Sequence, residues 1–280
     1  MNQENKNYDD VVETARNYYN SPDADHFYYA IWGGEDIHIG TYTEEKDTIF
    51  DASRRSVERL AALSEKLTKD ARVLDIGAGY GGAARYLART YGCHVVALNL
   101  SEKENERNRQ MNAEQGLEHL IDVVDGSFED LPFADQSFDM VWSQEAILHS
   151  GDREKVVREV SRVLKPGGEF LFSDAMKKEG CSNEALQPIL DRIQLSTLGS
   201  PEFYRAACEK AGLQQQLFQD QTPHLPVHYG RVLQELEKNE DQLRGEVSDE
   251  YIANMKKGLQ HWVNGGTQGN LVWGLFRFTK

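Results

Sequence analysis

Basic residues are in short supply in this chain: 31 Lys and Arg against 46 Asp and Glu leave a formal net charge of −15 over 280 residues. Such a field repels phosphate backbones and anionic lipid, so sequence-independent nucleic-acid binding is disfavoured and the expected partner is small, and neutral or cationic. Long apolar runs are also lacking. No stretch approaches the ~18 residues needed to cross a bilayer, and Met1, Asn2, Gln3 and Glu4 offer neither a basic start nor an apolar signal core, which leads to the expectation of a cytoplasmic protein. Cysteine is scarce and dispersed, at Cys93, Cys181 and Cys208, with no Cys/His spacing of the kind that holds zinc. Neither a disulfide nor a metal is expected from it. Proline is equally sparse, at seven residues, and there is no internal repeat or low-complexity tract to mark a linker. What remains is the composition of a folded globular protein, 39% hydrophobic and 28% charged, long enough for one large or two modest domains.

Changes of periodicity divide the chain. Residues 1–45 are rich in Tyr and Asn and carry FYYAIWGGEDIHIGTY at 27–42, too aromatic for a tail and too broken by glycine for one helix. They are expected to form an ordered cap. From 46 to 222 amphipathic helices alternate with apolar strands, expected at 72–76, 94–99, 121–124, 138–143, 169–174 and 213–219. Their order, β-α-β-α-β-α-β-α-β, is that of a doubly wound α/β fold with a mostly parallel sheet. Ser101, followed three residues later by Glu104, reads as a capping box. Residues 223–266 read as a helical lid inserted before 267–280, which holds the last strand of the sheet, NLVWGLFRF, antiparallel beside 213–219. The clearest lid helix starts at a Ser248 cap, presents Tyr251, Met255, Leu259 and Trp262 on one face, and stops at Gly265 and Gly266.

Chemistry enters at VLDIGAGYGGAARYL, 73–87, where a strand, the glycines Gly77, Gly79, Gly81 and Gly82, and a helix follow one another as they do at nucleotide sites of doubly wound sheets. Gly77, Gly79 and Gly82 also satisfy the loose dinucleotide fingerprint GxGxxG, a weak signal alone. Electrostatics separates the readings. An ionised Asp75 two residues before the first glycine would repel a pyrophosphate and favour a net cationic ligand such as S-adenosylmethionine.

Three ordered stretches, LDIGAGYGG at 74–82, LPFADQSFDMVWSQEAILHS at 131–150 and VLKPGGEFLFSD at 163–174, resemble the class I S-adenosylmethionine-dependent methyltransferases. The resemblance implies a seven-stranded, Rossmann-like sheet and S-adenosylmethionine as cofactor, held around Asp75, Gly77 and Gly79, with Pro166, Gly167 and Gly168 turning into the fifth strand. Asn99 stands where the family usually has an acid for the ribose hydroxyls, and Ser127 with Phe128 where many members have an acid facing the adenine amino group. A neutral hydrogen-bonding group and an apolar contact to the base are expected there. Leu100, Trp32 and Gln144 complete the expected cofactor contacts.

Over nearly the whole chain, FYYAIWGGEDIHIGTY, SQEAILHS, QPILDRIQL at 187–195 and MKKGLQHWVNGG at 255–266 resemble sarcosine/dimethylglycine N-methyltransferases, which make glycine betaine. Phosphoethanolamine methyltransferases share a shorter resemblance in the aromatic segment and the AILH stretch. A methylated amine moving towards a quaternary ammonium is best held by aromatic faces. Tyr28, Tyr29, Trp32, Trp142, Tyr204 and Trp262 are the candidates, whereas Trp273, inside a strand, reads as packing. A carboxylate substrate calls for a guanidinium; Arg192, Arg205 and Arg231 are placed for one, and the resemblance favours Arg192. Gln144 and Met176 are expected on the substrate side as well. The nucleophile must be a free amine, so a base is wanted, and His149 leads. By the pairing in the similar phosphobase enzymes, Tyr28 and His149 are expected to close the cap together as the catalytic pair. The competing readings are a nicotinamide oxidoreductase, opposed by Asp75, and a cofactor-binding module without catalysis.

Overall fold

The computed structural model describes residues 10–32 and 34–280, so residues 1–9 and Gly33 of the expected cap lie outside the described residues. Three helices open the chain, α1 (Asp10–Tyr19), α2 (Pro22–Ile31) and α3 (Ile49–Ala61). There follow β1 (Arg72–Ile76), α4 (Gly82–Tyr91), β2 (His94–Asn99), α5 (Glu102–Glu114), β3 (Ile121–Asp125), β4 (Phe138–Gln144), α6 (Arg153–Val163) and β5 (Leu164–Lys177). The last part comprises α7 (Gln187–Ile193), α8 (Pro201–Lys210), β6 (Gln214–Asp220), α9 (His224–Leu243), α10 (Asp249–Thr267) and β7 (Leu271–Thr279).

The strands make one sheet in the order β3-β2-β1-β4-β5-β7-β6. Six strands run in one direction, and β7, between β5 and β6, pairs antiparallel with both. Successive side chains of a strand point to opposite faces, so a sheet covered on both sides needs runs that are apolar throughout. Val73, Val95, Met140 and Leu171 accordingly enter the core that holds Val57 and Leu60 of α3 and Leu87 of α4. Leu74, Val96, Val141 and Phe170 enter the other, with Val156 and Val160 of α6 and Ala207 of α8. Strand order reverses between β1 and β4, the place where open α/β sheets bind ligands.

Three expectations need correction. No helix separates β3 from β4. Residues 126–137, GSFEDLPFADQS, turn back on themselves, and the Arg162 guanidinium fixes them by donating to the carbonyls of Leu131 at 2.9 Å and Phe133 at 2.7 Å. Strand β5 is far longer than 169–174, because the chain end pairs with its start (Gly167 N–H to Lys280 O, 2.8 Å) and β7 pairs with its far end as far as Lys177. Helix α10 starts from the Ser248 cap, whose hydroxyl accepts from the Tyr251 N–H, but runs through Gly265 and Gly266 to Thr267. At those two positions a side chain would press on Leu271 and Leu225, so the glycines serve close packing and not termination.

The lid is a hairpin of α9 and α10, joined by stacking of Tyr229 on Trp262 (ring centroids 4.9 Å apart) and by a Lys256–Glu240 ion pair of 2.6 Å. It comes down beside α1, α2 and α7, and these elements roof the C-terminal edge of the parallel strands.

Candidate active site

The loops leaving β1, β2 and β4 line a cleft of about 840 Å³, counted to its mouth. Gly77 and Gly79 form one wall; both adopt positive φ, +77° and +51°. A Cβ at Gly77 would fall 2.3 Å from the Cβ of Ala146, so only glycine lets these two loops meet. Asn99 and Leu100 from the end of β2, Ser127 and Phe128 from the loop after β3, and Gln144 from the end of β4 line it as expected, whereas Trp32, expected among the cofactor contacts, does not. Gln144 is 4% exposed, and neither its Oε1 nor its Nε2 has a partner. A buried amide left so is costly, and a ligand offering both a donor and an acceptor would satisfy it.

Asp75 needs a correction. It is 2% exposed, lies outside the lining of the cleft, and burial pushes its carboxyl up to about 7 against a small opposing pull from His38. The electrostatic preference for a cationic ligand rests elsewhere: Glu35, Glu104, Glu129 and Glu145 line the cleft, and no lysine or arginine among the described residues does. Glu104 is the least foreseen. Its N–H bonds to Ser101 as a capping box requires, but its carboxylate turns away to accept from Asn99 Nδ2 at 2.7 Å. Burial raises it to about 7, with the Asn99 bond opposing. The acid missing from the end of β2 is thus supplied from the first turn of α5.

Beside this cleft lies an aromatic pocket of about 930 Å³. Ala15, Tyr19, Ile37, Glu145 and His149 line both cavities, so a group in one faces a group in the other. Tyr28 and Trp32 of the cap, and Tyr229, Leu259 and Trp262 of the lid, form its walls. Arg192, from α7, enters from the side. The half-buried guanidinium forms no ion pair among the described residues; its recorded contact is Nη2 to Met255 Sδ at 2.8 Å. A cation with free donors among aromatic rings is poised for an anionic ligand group.

Glu145 stands between the two cavities with a positive φ of +49°, an uncommon conformation for a side-chain-bearing residue. Ser173 Oγ (2.5 Å) and Trp273 Nε1 (2.9 Å) donate to Oε1, and the Ile39 N–H (3.2 Å) donates to Oε2. Trp273, read as packing, therefore also steers this carboxylate. His38 Nδ1 is 3.4 Å away. Burial pulls His38 down, but the Glu145 bond and the charges of Glu145, Asp36 and Asp75 together leave it raised.

His149 occupies a single 3₁₀ turn after β4. Burial, helped by the charges of Arg153 and Arg192, lowers it to about 4, so the ring is neutral near pH 7. The expected direct pairing of Tyr28 with His149 is not found. Tyr19 Oη lies 3.0 Å from His149 Nε2, and the Tyr28 ring packs behind Tyr19 with centroids 5.9 Å apart. Two positions at the end of α1 thus matter, because Tyr18 bridges Tyr28 Oη at 3.3 Å and Tyr251 Oη at 3.0 Å. The doublet Tyr18-Tyr19 was visible in the sequence only as part of a tyrosine-rich stretch.

Several candidates fall outside both cavities. Met176 is fully buried in the core on the far face of the sheet, and Tyr204 lies there too, its hydroxyl donating to Asp174. The parity of β5 explains this, since Met176 and Asp174 both point away from the lid. Trp142 is fully buried in the first core. Tyr29 is exposed under the Arg107 guanidinium, 4.2 Å from its ring centroid. Arg205 is exposed on α8, and Arg231 donates to the Glu45 carbonyl.

Comparison with known proteins agrees with this geometry. Residues 74–172 match a family described as a methyltransferase domain. The chain is 60% identical over 274 residues to the sarcosine/dimethylglycine N-methyltransferase of Halorhodospira halochloris, covering 98% of each chain. It is 52% identical to the protein of the same name from Aphanothece halophytica, over 97% of this chain and 98% of that one. A crystal structure from Galdieria sulphuraria, described as a sarcosine dimethylglycine methyltransferase, superposes with a TM-score of 0.90 at 44% identity, covering 94% of this chain and 98% of the other. No helix among the described residues is long and apolar enough to cross a membrane. The chain belongs to the sarcosine/dimethylglycine N-methyltransferase family.

Proposed function

We propose that this N-methyltransferase moves methyl groups from S-adenosylmethionine to the nitrogen of sarcosine and dimethylglycine, with glycine betaine as the end product. The observation that carries the substrate is Arg192, a guanidinium with no ion pair among the described residues, set among aromatic walls in a pocket that meets the cofactor cleft at Glu145 and His149. The similarity to the Halorhodospira and Aphanothece enzymes supports it.

The cleft suits S-adenosylmethionine on two counts, the unsatisfied Gln144 amide and a lining that carries four glutamates. Gly77, Gly79 and Gln144 would hold the methionine end, Asn99 and Glu104 the ribose, and Ser127 and Phe128 the base. When bound, the cofactor supplies a methyl group already activated on a sulfonium, so alignment and exclusion of water do most of the catalytic work.

The chain's own residues supply that alignment. Arg192 holds the substrate carboxylate, and the faces of Tyr28, Trp32, Tyr229 and Trp262 surround the N-methyl groups, each contact worth ~0.5–2 kcal/mol as the nitrogen becomes cationic. Tyr19 and His149 sit where the two cavities meet. A neutral His149 can accept a hydrogen bond from the arriving ammonium, but at about 4 it is too weak a base to hold that proton and can only relay it towards solvent. Methylation stops at the quaternary product, whose nitrogen has no lone pair left. An osmoprotective solute as product accords with the strongly acidic chain and a cytoplasmic setting.

The test is a panel. Purified protein is incubated with methyl-labelled S-adenosylmethionine and glycine, sarcosine, dimethylglycine, phosphoethanolamine or buffer, and labelled products are separated by chromatography. Label in betaine from dimethylglycine is expected, and label from sarcosine shows that both steps are performed. Label appearing in the phosphobase alone would overturn the substrate assignment and leave the fold untouched.

A further inference from the structure

Helix α10 carries a glycine in its interior that its backbone does not require. Gly258 is buried and has none of the positive φ that favours glycine, and at an interior helical position every residue but proline is better suited than glycine. What it provides is space. A Cβ built there would lie 2.1 Å from Cδ, 2.2 Å from Nε and 2.9 Å from Cζ of Arg192. The other two glycines near the end of α10 press on aliphatic side chains; Gly258 alone presses on a charged one. The Arg192 side chain therefore runs across α10 through the gap left by a missing methyl group, with Met255, one turn earlier, receiving its Nη2.

Arg192 borders two cavities. One is the aromatic pocket, and the other is an outer groove between α7 and α10, lined also by Asp191, Lys257 and His261. The side chain is flexible and the α10 backbone is not, so a methyl group at position 258 would move the arginine and leave the helix in place. The outer groove, where Asp191 is a ready carboxylate partner, is open to receive it.

We propose that Gly258 is the position that sets carboxylate recognition in this enzyme: it has no substrate contact of its own and acts by giving Arg192 passage into the aromatic pocket. The proposal rests on the reading that Arg192 holds the substrate carboxylate. Gly258 is thus a positioning residue, and its effect exists only while the arginine is present.

The experiment compares Gly258→Ala, Arg192→Ala and the double variant, with KM and kcat for dimethylglycine and calorimetric affinity for S-adenosylmethionine. In Gly258→Ala, KM is expected to rise about tenfold, with kcat within about threefold and cofactor affinity within about twofold of wild type. In the Arg192→Ala background, adding Gly258→Ala should shift KM by less than about twofold. An unchanged KM in Gly258→Ala, or a full tenfold rise on top of Arg192→Ala, would overturn the proposal. An unchanged KM in Arg192→Ala alone would instead remove the reading beneath it. Should Gly258→Ala fail to fold, the double variant decides: with the obstructing side chain gone it must fold and bind cofactor as Arg192→Ala does, and its failure to do so would place the clash elsewhere.

Discussion

The cofactor cleft and the aromatic pocket share five lining residues but are built on different principles. The cleft is made at one edge of a sheet by consecutive strand-to-helix turns, so its parts are fixed by backbone hydrogen bonds and by glycines that admit close approach. The pocket is assembled from α1, α2, α7, α9 and α10, elements remote in sequence and joined mainly through tyrosine and tryptophan rings. A site of the first kind is tied to the sheet itself, and one of the second kind can be reshaped for a substrate without disturbing the first. Variants in the pocket should therefore alter KM or turnover for the amine, and variants in the cleft should alter cofactor affinity.

The largest effect is expected at Arg192. Replacing it with alanine removes the pocket's one guanidinium and should lower kcat/KM for dimethylglycine by about 10²–10³, mostly through KM, with little change in cofactor affinity. Equal losses of cofactor and substrate binding would mean that the two cavities are one site, and the comparison would fail.

The same difference governs what could be read from the sequence. The glycine loop, Asn99, Ser127, Phe128 and Gln144 were legible because a parallel α/β sheet converts position along the chain into position in space. Glu104 was noticed for the wrong reason, since a Ser-x-x-Glu spacing predicts a backbone cap and says nothing of where the carboxylate turns when a buried Asn99 competes for it. In the pocket, Arg192, Trp32, Tyr28 and Trp262 were picked out by residue type and resemblance, whereas Tyr19, Tyr229 and Glu145 were not. Met176 was misplaced because β5 continues past residue 174 and strand parity decides which face it takes, and Tyr204 because α8 packs on that far face, against Phe172 and Asp174.

Second in size are the residues at the junction. His149→Ala should lower kcat about 100-fold while cofactor affinity changes by less than about threefold, as the loss of a proton acceptor predicts. Tyr19→Phe should cost about tenfold in kcat, and Tyr28→Phe less, because Tyr19 is the residue in hydrogen-bond contact with the histidine. The reverse order, measured by stopped-time assays at saturating substrate, would restore the Tyr28–His149 pairing that the resemblance implied. Because the His149 ring is already neutral from pH 7 to 5, His149→Ala should lower turnover without changing the shape of its pH profile across that range.

In the cleft the expected effects are smaller and fall on the cofactor. Glu104→Ala should weaken S-adenosylmethionine about tenfold by calorimetry, with KM for dimethylglycine unaltered. Glu104→Gln keeps the hydrogen-bonding shape and should weaken it by no more than about threefold. If the glutamine variant were as weak as the alanine one, charge and not geometry would be the carboxyl's contribution.

The smallest effect separates Asp75 from the cleft altogether. Its folded-state carboxyl sits at about 7 against an ordinary 3.8, so the folded chain holds a proton that the unfolded chain has already released between about pH 4 and 7. Stability must then fall as pH rises through that window, and above it the folded state carries a buried charge whose one recorded opposing influence is His38. Asp75→Asn, nearly the same shape without the charge, should raise Tm by a few degrees at pH 8, and the gap should close towards pH 4. Cofactor affinity should barely change, since the four lining glutamates remain. If instead the variant lost S-adenosylmethionine binding at every pH while its Tm stayed put, the buried acid would belong to the cleft after all, and the acidic lining would not be what selects the cation.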